Sequence, residues 1–115
     1  MLSIERENDG AVTVLRLDGD LDESSINEVR LLLSACMKER SVLMVLNLEK
    51  LQFMSRLAVA MLLQKDCEFR GRCGELRLAC PSVYVRRLLQ MCGVGTSFYL
   101  HSTEASAVQA CQRAA

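Results

Sequence analysis

The chain contains a run of seven residues, Val42 to Leu48, in which every side chain except that of Asn47 is apolar. A strand that is buried on both faces has this composition, and such strands lie at the centre of sheets that helices cover. The run therefore predicts the central strand of an α/β domain, and it constrains the fold more than any other segment does.

The rest of the chain alternates between strand and helix patterns. Residues 2–7 and 12–17 predict two strands, and the short turn between them makes them an antiparallel hairpin. Helical patterns separate all later strands, and such crossovers require a mainly parallel sheet. Besides the hairpin, the predicted elements are strands at 42–48, 75–79 and 97–100 and helices at about 25–38, 56–69 and 82–92, with a last helix after residue 102 or 103. We expect one α/β domain over residues 1–115, with a mixed sheet and about four helices in the order β-β-α-β-α-β-α-β-α.

Two connections carry specific predictions. Residues 49–55 are expected to form a short loop that leads from the buried strand into a helix beginning at Arg56. Ser102 or Thr103 is expected to cap the last helix. Helical periodicity then predicts that the inner face of this helix consists of Ala105, Val108 and Cys111.

Composition and charge exclude several function classes. With 14 basic and 14 acidic side chains the formal net charge is zero, so the chain lacks the basic excess that nucleic-acid binding requires. Its longest uncharged apolar run, Leu57 to Leu63, is far shorter than the ~18–20 residues of a membrane span. The acidic residues near Met1 do not fit a signal peptide. We therefore expect a cytoplasmic protein that neither binds nucleic acid nor inserts directly into a membrane.

The sequence offers few groups for catalysis or cofactor binding. It has no glycine-rich phosphate-binding motif, and its six cysteines include no pair at C-x-x-C spacing. With His101 as the single histidine, a zinc site of ordinary spacing cannot be assembled locally, while a Cys–His catalytic pair stays open in principle. We predict that the chain is not an enzyme and needs no cofactor or metal, and that most cysteines pack as small buried side chains.

Four blocks of the sequence resemble the STAS domain family, which is best known from bacterial anti-sigma factor antagonists. The resemblance covers about residues 10–112, and the family's order of elements agrees with the order predicted from the patterns. The blocks are residues 12–22 with their Gly-x-Leu-Asp turn, 46–63 around the family's switch serine, 74–89, and 91–94. A helix N-terminus such as the one within 46–63 favours negative charge and is a natural site for a phosphoryl switch.

The resemblance also implies a departure from the family at this switch. Members that are controlled by phosphorylation read Phe-(Ile/Met)-Asp-Ser-Ser-Gly, and the second serine accepts the phosphate. Aligned from Phe53, this chain has at the last four of these positions Ser55, Arg56, Leu57 and Ala58. Leucine has no hydroxyl group, so we expect that the usual phosphorylation cannot occur. Ser55 is then the remaining candidate for phosphorylation in the loop.

By resemblance, the chain is expected to be a non-catalytic module that binds an anti-sigma or kinase-like protein, or a signalling scaffold, in bacterial transcription or stress signalling. A homodimer stays open. The implied partner-binding residues are Asp22, Met54, Ser55, Arg56, Leu57 and Ala58. Two alternatives also stay open: a soluble STAS subunit of a lipid-transporting ABC system, and a domain that senses a small ligand.

Arg56 and Leu57 leave two interpretations open. A cation at a helix N-terminus is unfavourable by about 0.3–1 kcal/mol, but Arg56 beside Leu57 would form a basic and apolar anchor for an acidic partner. Alternatively, Leu57 packs into the core and Arg56 is merely solvated. The two interpretations differ in whether the side chain of Leu57 is exposed.

Overall fold

A computed structural model of the chain describes residues 1–114. Its elements follow the predicted order. They are β1 (Leu2–Asp9), β2 (Val12–Leu21), α1 (Ile26–Lys38), β3 (Leu43–Met54), α2 (Arg56–Gly71), β4 (Glu75–Ala79), α3 (Val83–Met91), β5 (Tyr99–His101) and α4 (Glu104–Ala114). The expectation of a single α/β domain is confirmed.

The five strands form one mixed sheet in the order β1-β2-β3-β4-β5. Strand β1 runs antiparallel to β2, as expected of a hairpin with a short turn. The other neighbours are parallel, because a helix connects each strand to the next. Strand β3 therefore lies at the centre of the sheet, where its apolar run predicts it.

Helices cover both faces of the sheet, but unequally. Side chains such as Leu15 and Leu46 point into a large core that also contains the buried faces of α1, α2 and α3. Their neighbours along the same strands, such as Val14 and Val45, point to the opposite face and pack against α4 in a smaller cluster. Successive strand side chains alternate between faces, so the apolar run of β3 supplies both clusters.

The expectation of a loop at residues 49–55 is wrong. Strand β3 continues to Met54, because β2 also continues through Gly19 and pairs with it up to the contact of Leu21 with Met54. The pairing of β3 with β4 ends at Asn47 and Ala79. Beyond Asn47, strand β3 has no neighbouring strand on the β4 side within residues 1–114 and is therefore more exposed to solvent. Charged and polar side chains are tolerated there, and they give a strand the appearance of a loop.

The last elements also differ from the prediction. Strand β5 begins at Tyr99, and the inner face of α4 consists of Ala107, Val108 and Cys111, while Ala105 is exposed. Thr103 is the cap, since its Oγ1 accepts a hydrogen bond from the amide of Ser106 at 3.1 Å. Among residues 1–114, no helix has the length and apolar character that crossing a bilayer requires.

Candidate functional site

The candidate site lies at the carboxyl-terminal ends of the neighbouring parallel strands β2 and β3. Leu21 is paired with Met54 at the ends of the two strands, and the amide of Ser55 donates a hydrogen bond to the carbonyl oxygen of Leu21 at 3.0 Å. Asp22 follows Leu21 directly and Ser55 follows Met54 directly. The register of the sheet thus brings the two predicted segments, 33 positions apart in the sequence, to one place.

Ser55 is the single residue between the end of β3 and the start of α2. Its backbone is extended, and its Oγ accepts a hydrogen bond from the amide of Ala58 at 3.2 Å. Serine in this geometry is a standard N-cap, because it satisfies one of the free N–H groups of the first turn. The hydroxyl group is therefore engaged as an acceptor, and the residue is partly buried.

The predicted site residues divide into exposed and buried ones. Arg56 and Leu57 are exposed, but Met54 is 1% exposed and Ala58 is fully buried. The expectation that Met54 and Ala58 offer side chains to a partner therefore needs correction. Both side chains belong to the large core, where they fix the end of β3 and the start of α2.

Leu57 lies outside the core, with 60% of its surface exposed. It borders an open groove of about 360 Å³ between α1 and α2, together with Ile26, Asn27 and Arg30 of α1. Arg56 is also exposed and forms no ion pair with any of residues 1–114. The interpretation in which Leu57 packs into the core is wrong, so a cation and an apolar side chain are presented side by side.

Asp22 is held in a tight turn before α1. Its Oδ1 accepts hydrogen bonds from Ser24, at 2.6 Å from the hydroxyl and 3.0 Å from the amide. These bonds hold the pKa of the Asp22 carboxyl below its usual value. Ser25 completes the turn, because its hydroxyl donates to the carbonyl oxygen of Asp20 at 2.8 Å. The site thus has a fixed negative charge on the β2 side.

Sequence reasoning missed two aromatic residues beside this site. Phe53 and Tyr84 are 43% and 44% exposed, and their rings are stacked with centroids 6.3 Å apart. The Tyr84 hydroxyl also donates a hydrogen bond to the carbonyl oxygen of Met54 at 3.0 Å. The sequence could have indicated Tyr84, because it is an aromatic residue on the polar side of the predicted helix 82–92. That Phe53 is its partner follows only from the fold.

Both ring nitrogens of His101 contact side chains other than thiols. Its Nε2 lies 3.1 Å from Nη1 of Arg77, and its Nδ1 lies 2.9 Å from the hydroxyl oxygen of Ser106. Arginine can only donate, so Nε2 is the acceptor and Nδ1–H donates to Ser106. Burial and Arg77 lower the pKa of His101. Within residues 1–114, no cluster of three or more His, Cys, Asp or Glu side chains could hold a metal ion.

The cysteines are divided between core and surface. Cys36 and Cys111 are buried, Cys80 and Cys92 are partly buried, and Cys67 and Cys73 are exposed, so the burial predicted for most cysteines holds fully for two of the six. Burial raises the pKa of the Cys111 thiol to about 11, which keeps it protonated at neutral pH. Burial also raises the pKa of the Cys36 thiol, so neither buried thiol is poised as a nucleophile.

Comparison with known proteins agrees with this geometry. The sequence model of the STAS domain matches residues 3–107. A curated anti-sigma F factor antagonist from Lysinibacillus sphaericus is 31% identical over 96 residues, which are 83% of this chain and 81% of that protein.

Solved structures show the same fold. The anti-sigma factor antagonist SpoIIAA in its unphosphorylated form is 26% identical, with a TM-score of 0.83 over 96% of this chain and 97% of that one. The Bacillus cell fate determinant SpoIIAA in the phosphorylated form is 25% identical, with a TM-score of 0.74 over 94% of this chain and 98% of that one. Sequence, relatives and fold therefore agree, and the chain belongs to the STAS domain family, as a domain of the anti-sigma factor antagonist type.

Proposed function

We propose that this protein acts by binding, without a chemical step of its own, as an anti-sigma factor antagonist that lacks the usual phosphorylation switch. Its partner is an anti-sigma or kinase-like protein, or a signalling scaffold, in the bacterial cytoplasm. The name of the curated relative supports this class of partner, because an antagonist of anti-sigma F factor acts on another protein. The contact residues are Asp22, Ser55, Arg56 and Leu57.

The observation that carries the proposal is the exposed Leu57 at the start of α2. By family resemblance, this position is where switched antagonists have their phosphate-accepting serine. SpoIIAA, of the same fold, exists in an unphosphorylated and a phosphorylated form. A leucine side chain cannot accept a phosphoryl group, so the binding surface of this protein keeps one chemical state.

Ser55 does not replace the missing serine in this proposal. Its Oγ caps α2 through the amide of Ala58, and it is two positions from the expected acceptor. A kinase active site places the acceptor hydroxyl and the nucleotide within a fraction of an ångström of their reactive geometry, so a shift of two residues removes the required alignment.

The charge at the start of α2 favours a negatively charged partner surface. The first turn of α2 contains no acidic residue, and its free N–H groups carry partial positive charge. Arg56 adds a full positive charge there, while Leu57 offers apolar area beside it. A carboxylate next to an apolar side chain on the partner would match both features.

The test is recovery of the tagged protein from cytosol and membranes of its native organism, with and without ATP, followed by mass spectrometry and titration of the purified partner. We expect an anti-sigma, kinase-like or scaffold protein that binds equally in both conditions. Leu57→Asp should weaken this binding about tenfold or more. Leu31→Asp is the matched control, because Leu31 is 68% exposed on α1.

Three outcomes would contradict the proposal. One is loss of the partner on addition of ATP together with phosphate on Ser55. Another is equal binding by the Leu57→Asp variant. The third is recovery of transporter ATPase subunits instead of a regulator, which would favour the ABC-system alternative.

A further inference from the structure

The stacked aromatic pair of Phe53 and Tyr84 is exposed although its geometry is fixed. Two contacts hold Tyr84: its ring stacks on the ring of Phe53, and its hydroxyl donates a hydrogen bond to the carbonyl oxygen of Met54. Strand β3 extends past the last residue of β4 here, so a side chain from α3 supplies the donor that a neighbouring strand would otherwise provide. A rigid, exposed aromatic ring is a low-cost binding element, because little rotamer freedom is lost on contact.

This pair lies next to the proposed contact residues. Phe53 and Met54 immediately precede Ser55, and Tyr84 is hydrogen-bonded to Met54 itself. The exposed apolar area continues on α3 with Val83, which is 65% exposed. Exposed apolar side chains therefore flank Ser55 along the chain, with Leu57 after it and Phe53 before it, and Tyr84 joins them through its contact with Phe53.

The charges on the α3 side are all positive. The sequence of α3 contains no acidic residue, and Arg86 and Arg87 are exposed on it. Neither arginine belongs to an ion pair within the described part of the chain. Since residues three and four apart share a helix face, Arg87 lies on the same side as Val83 and Tyr84. Two acidic side chains lie on the β2 side of this surface: Asp20 is the cross-strand partner of Phe53, and Asp22 follows the last residue of β2.

From these contacts we infer that the partner surface extends from the start of α2 across the Phe53–Tyr84 pair onto α3, where it accepts an acidic segment of the partner protein with an apolar side chain. The aromatic pair and Val83 take the apolar side chain, and Arg86 and Arg87 pair with carboxylates at the rim. Aromatic residues and arginines are the side chains that contribute most to protein interfaces. The inference rests on the proposed function and names the chemistry of the partner.

Photo-crosslinking in the native organism tests the extent of the surface. The probe is p-benzoylphenylalanine, placed in the full chain at one of the positions of Leu57, Tyr84 or, as a control on α1, Leu31. We expect the first two positions to crosslink to the same protein and the control position to leave it uncrosslinked. The peptide attached at position 84 should be rich in Asp and Glu.

Titration of that protein, once purified, tests the chemistry. Arg86→Glu combined with Arg87→Glu should weaken binding at least about tenfold and flatten its dependence on salt. Arg86→Lys combined with Arg87→Lys is the matched control and should stay within about threefold. Tyr84→Ala should weaken binding while Tyr84→Phe, which keeps the ring, should retain most of it. Unfolding curves of all variants exclude loss of the fold as the cause.

The outcomes separate this inference from the proposed function. A crosslink at position 57 without one at position 84, or equal affinity of the charge-reversed variant, would overturn the extended surface and leave the proposed function standing. A peptide at position 84 without acidic residues would also overturn the inference. No protein crosslinked at either position would contradict both.

Discussion

The hydroxyl oxygen of Ser55 accepts a hydrogen bond from the amide of Ala58 at 3.2 Å. This bond assigns the one hydroxyl of the segment 53–58 to closing the first turn of α2. A structural role for Ser55 and a surface role for Leu57 follow from the same geometry, because the cap fixes where the helix begins and so which side chains of its first turn face solvent.

Replacing Ser55 by Ala should lower the free energy of unfolding by about 1 kcal/mol, because an N–H group of the first turn loses its partner. Ser55→Asn, which can also cap, should retain most of the stability. Urea denaturation of both variants checks this. Equal stability of the Ala variant and the wild type would show that the cap contributes nothing.

Replacing Leu57 by Ser should change the free energy of unfolding by no more than about 0.5 kcal/mol, since its side chain is 60% exposed. Partner affinity should nevertheless fall, because the apolar contact is lost. Urea denaturation and titration of the purified partner measure the two effects separately. A stability loss of about 2 kcal/mol or more would instead mean that Leu57 packs into the core.

Rebuilding the family's loop should install a switch. The combination of Ser55→Asp, Arg56→Ser and Leu57→Ser keeps a capping side chain and supplies a hydroxyl at the position implied by resemblance. If the native partner is a kinase-like protein, it should phosphorylate this variant in the presence of ATP, and the phosphorylated variant should then release the partner. The wild type should stay unphosphorylated and bound. Absence of phosphate on the rebuilt loop would contradict the alignment of that loop.

Glu104 fastens the start of α4 to the sheet. It accepts two hydrogen bonds from Arg16, at 2.8 and 2.9 Å, and one from Asn47 at 2.9 Å. Glu104→Ala should lower the free energy of unfolding by about 1–2 kcal/mol, because Asn47 is nearly buried and loses its acceptor. Glu104→Gln, which can still accept a hydrogen bond from Asn47, should cost less. Urea denaturation compares the two, and equal losses would refute this role for the bond to Asn47.

The stability of the fold should depend on His101 in mildly acidic solution. Burial and the neighbouring Arg77 lower its pKa from 6.5, whereas Glu75 opposes the shift, so the folded state binds its proton less readily than the unfolded state does. The free energy of unfolding should therefore fall as the pH drops below about 6.5, the pKa of the unfolded state. The decline should end once the pH is below the lower pKa of the folded state. Urea midpoints between about pH 7.5 and 5 measure this. A His101→Gln variant with the same decline would exclude His101 as its source.

The sequence predicts the central strand well because its apolar residues are buried on both faces. It does not predict that β3 continues to Met54, because Glu49 and Lys50 lie beyond the end of β4, where a strand is partly solvated. The burial of Ala58 and the exposure of Leu57 depend on this strand end and on the cap by Ser55. By periodicity alone, the start of α2 is apolar on almost all sides, so the sequence does not indicate which of these side chains is buried.

The aromatic pair shows a different limit of sequence reasoning. Phe53 and Tyr84 come together because α3 begins next to the extended end of β3, a contact between residues 31 positions apart. Neither strand nor helix periodicity encodes such a contact. The family resemblance includes the start of α3 but assigns partner binding only to Asp22 and residues 54–58, so the aromatic side of the surface becomes visible only in the fold.

The most direct test of the unswitched antagonist is titration of the purified native partner against the wild-type protein, with and without ATP, followed by mass spectrometry of the intact chain. We predict the same dissociation constant in both titrations and no phosphate on the chain. A weaker dissociation constant with ATP, accompanied by phosphate on Ser55, would contradict it.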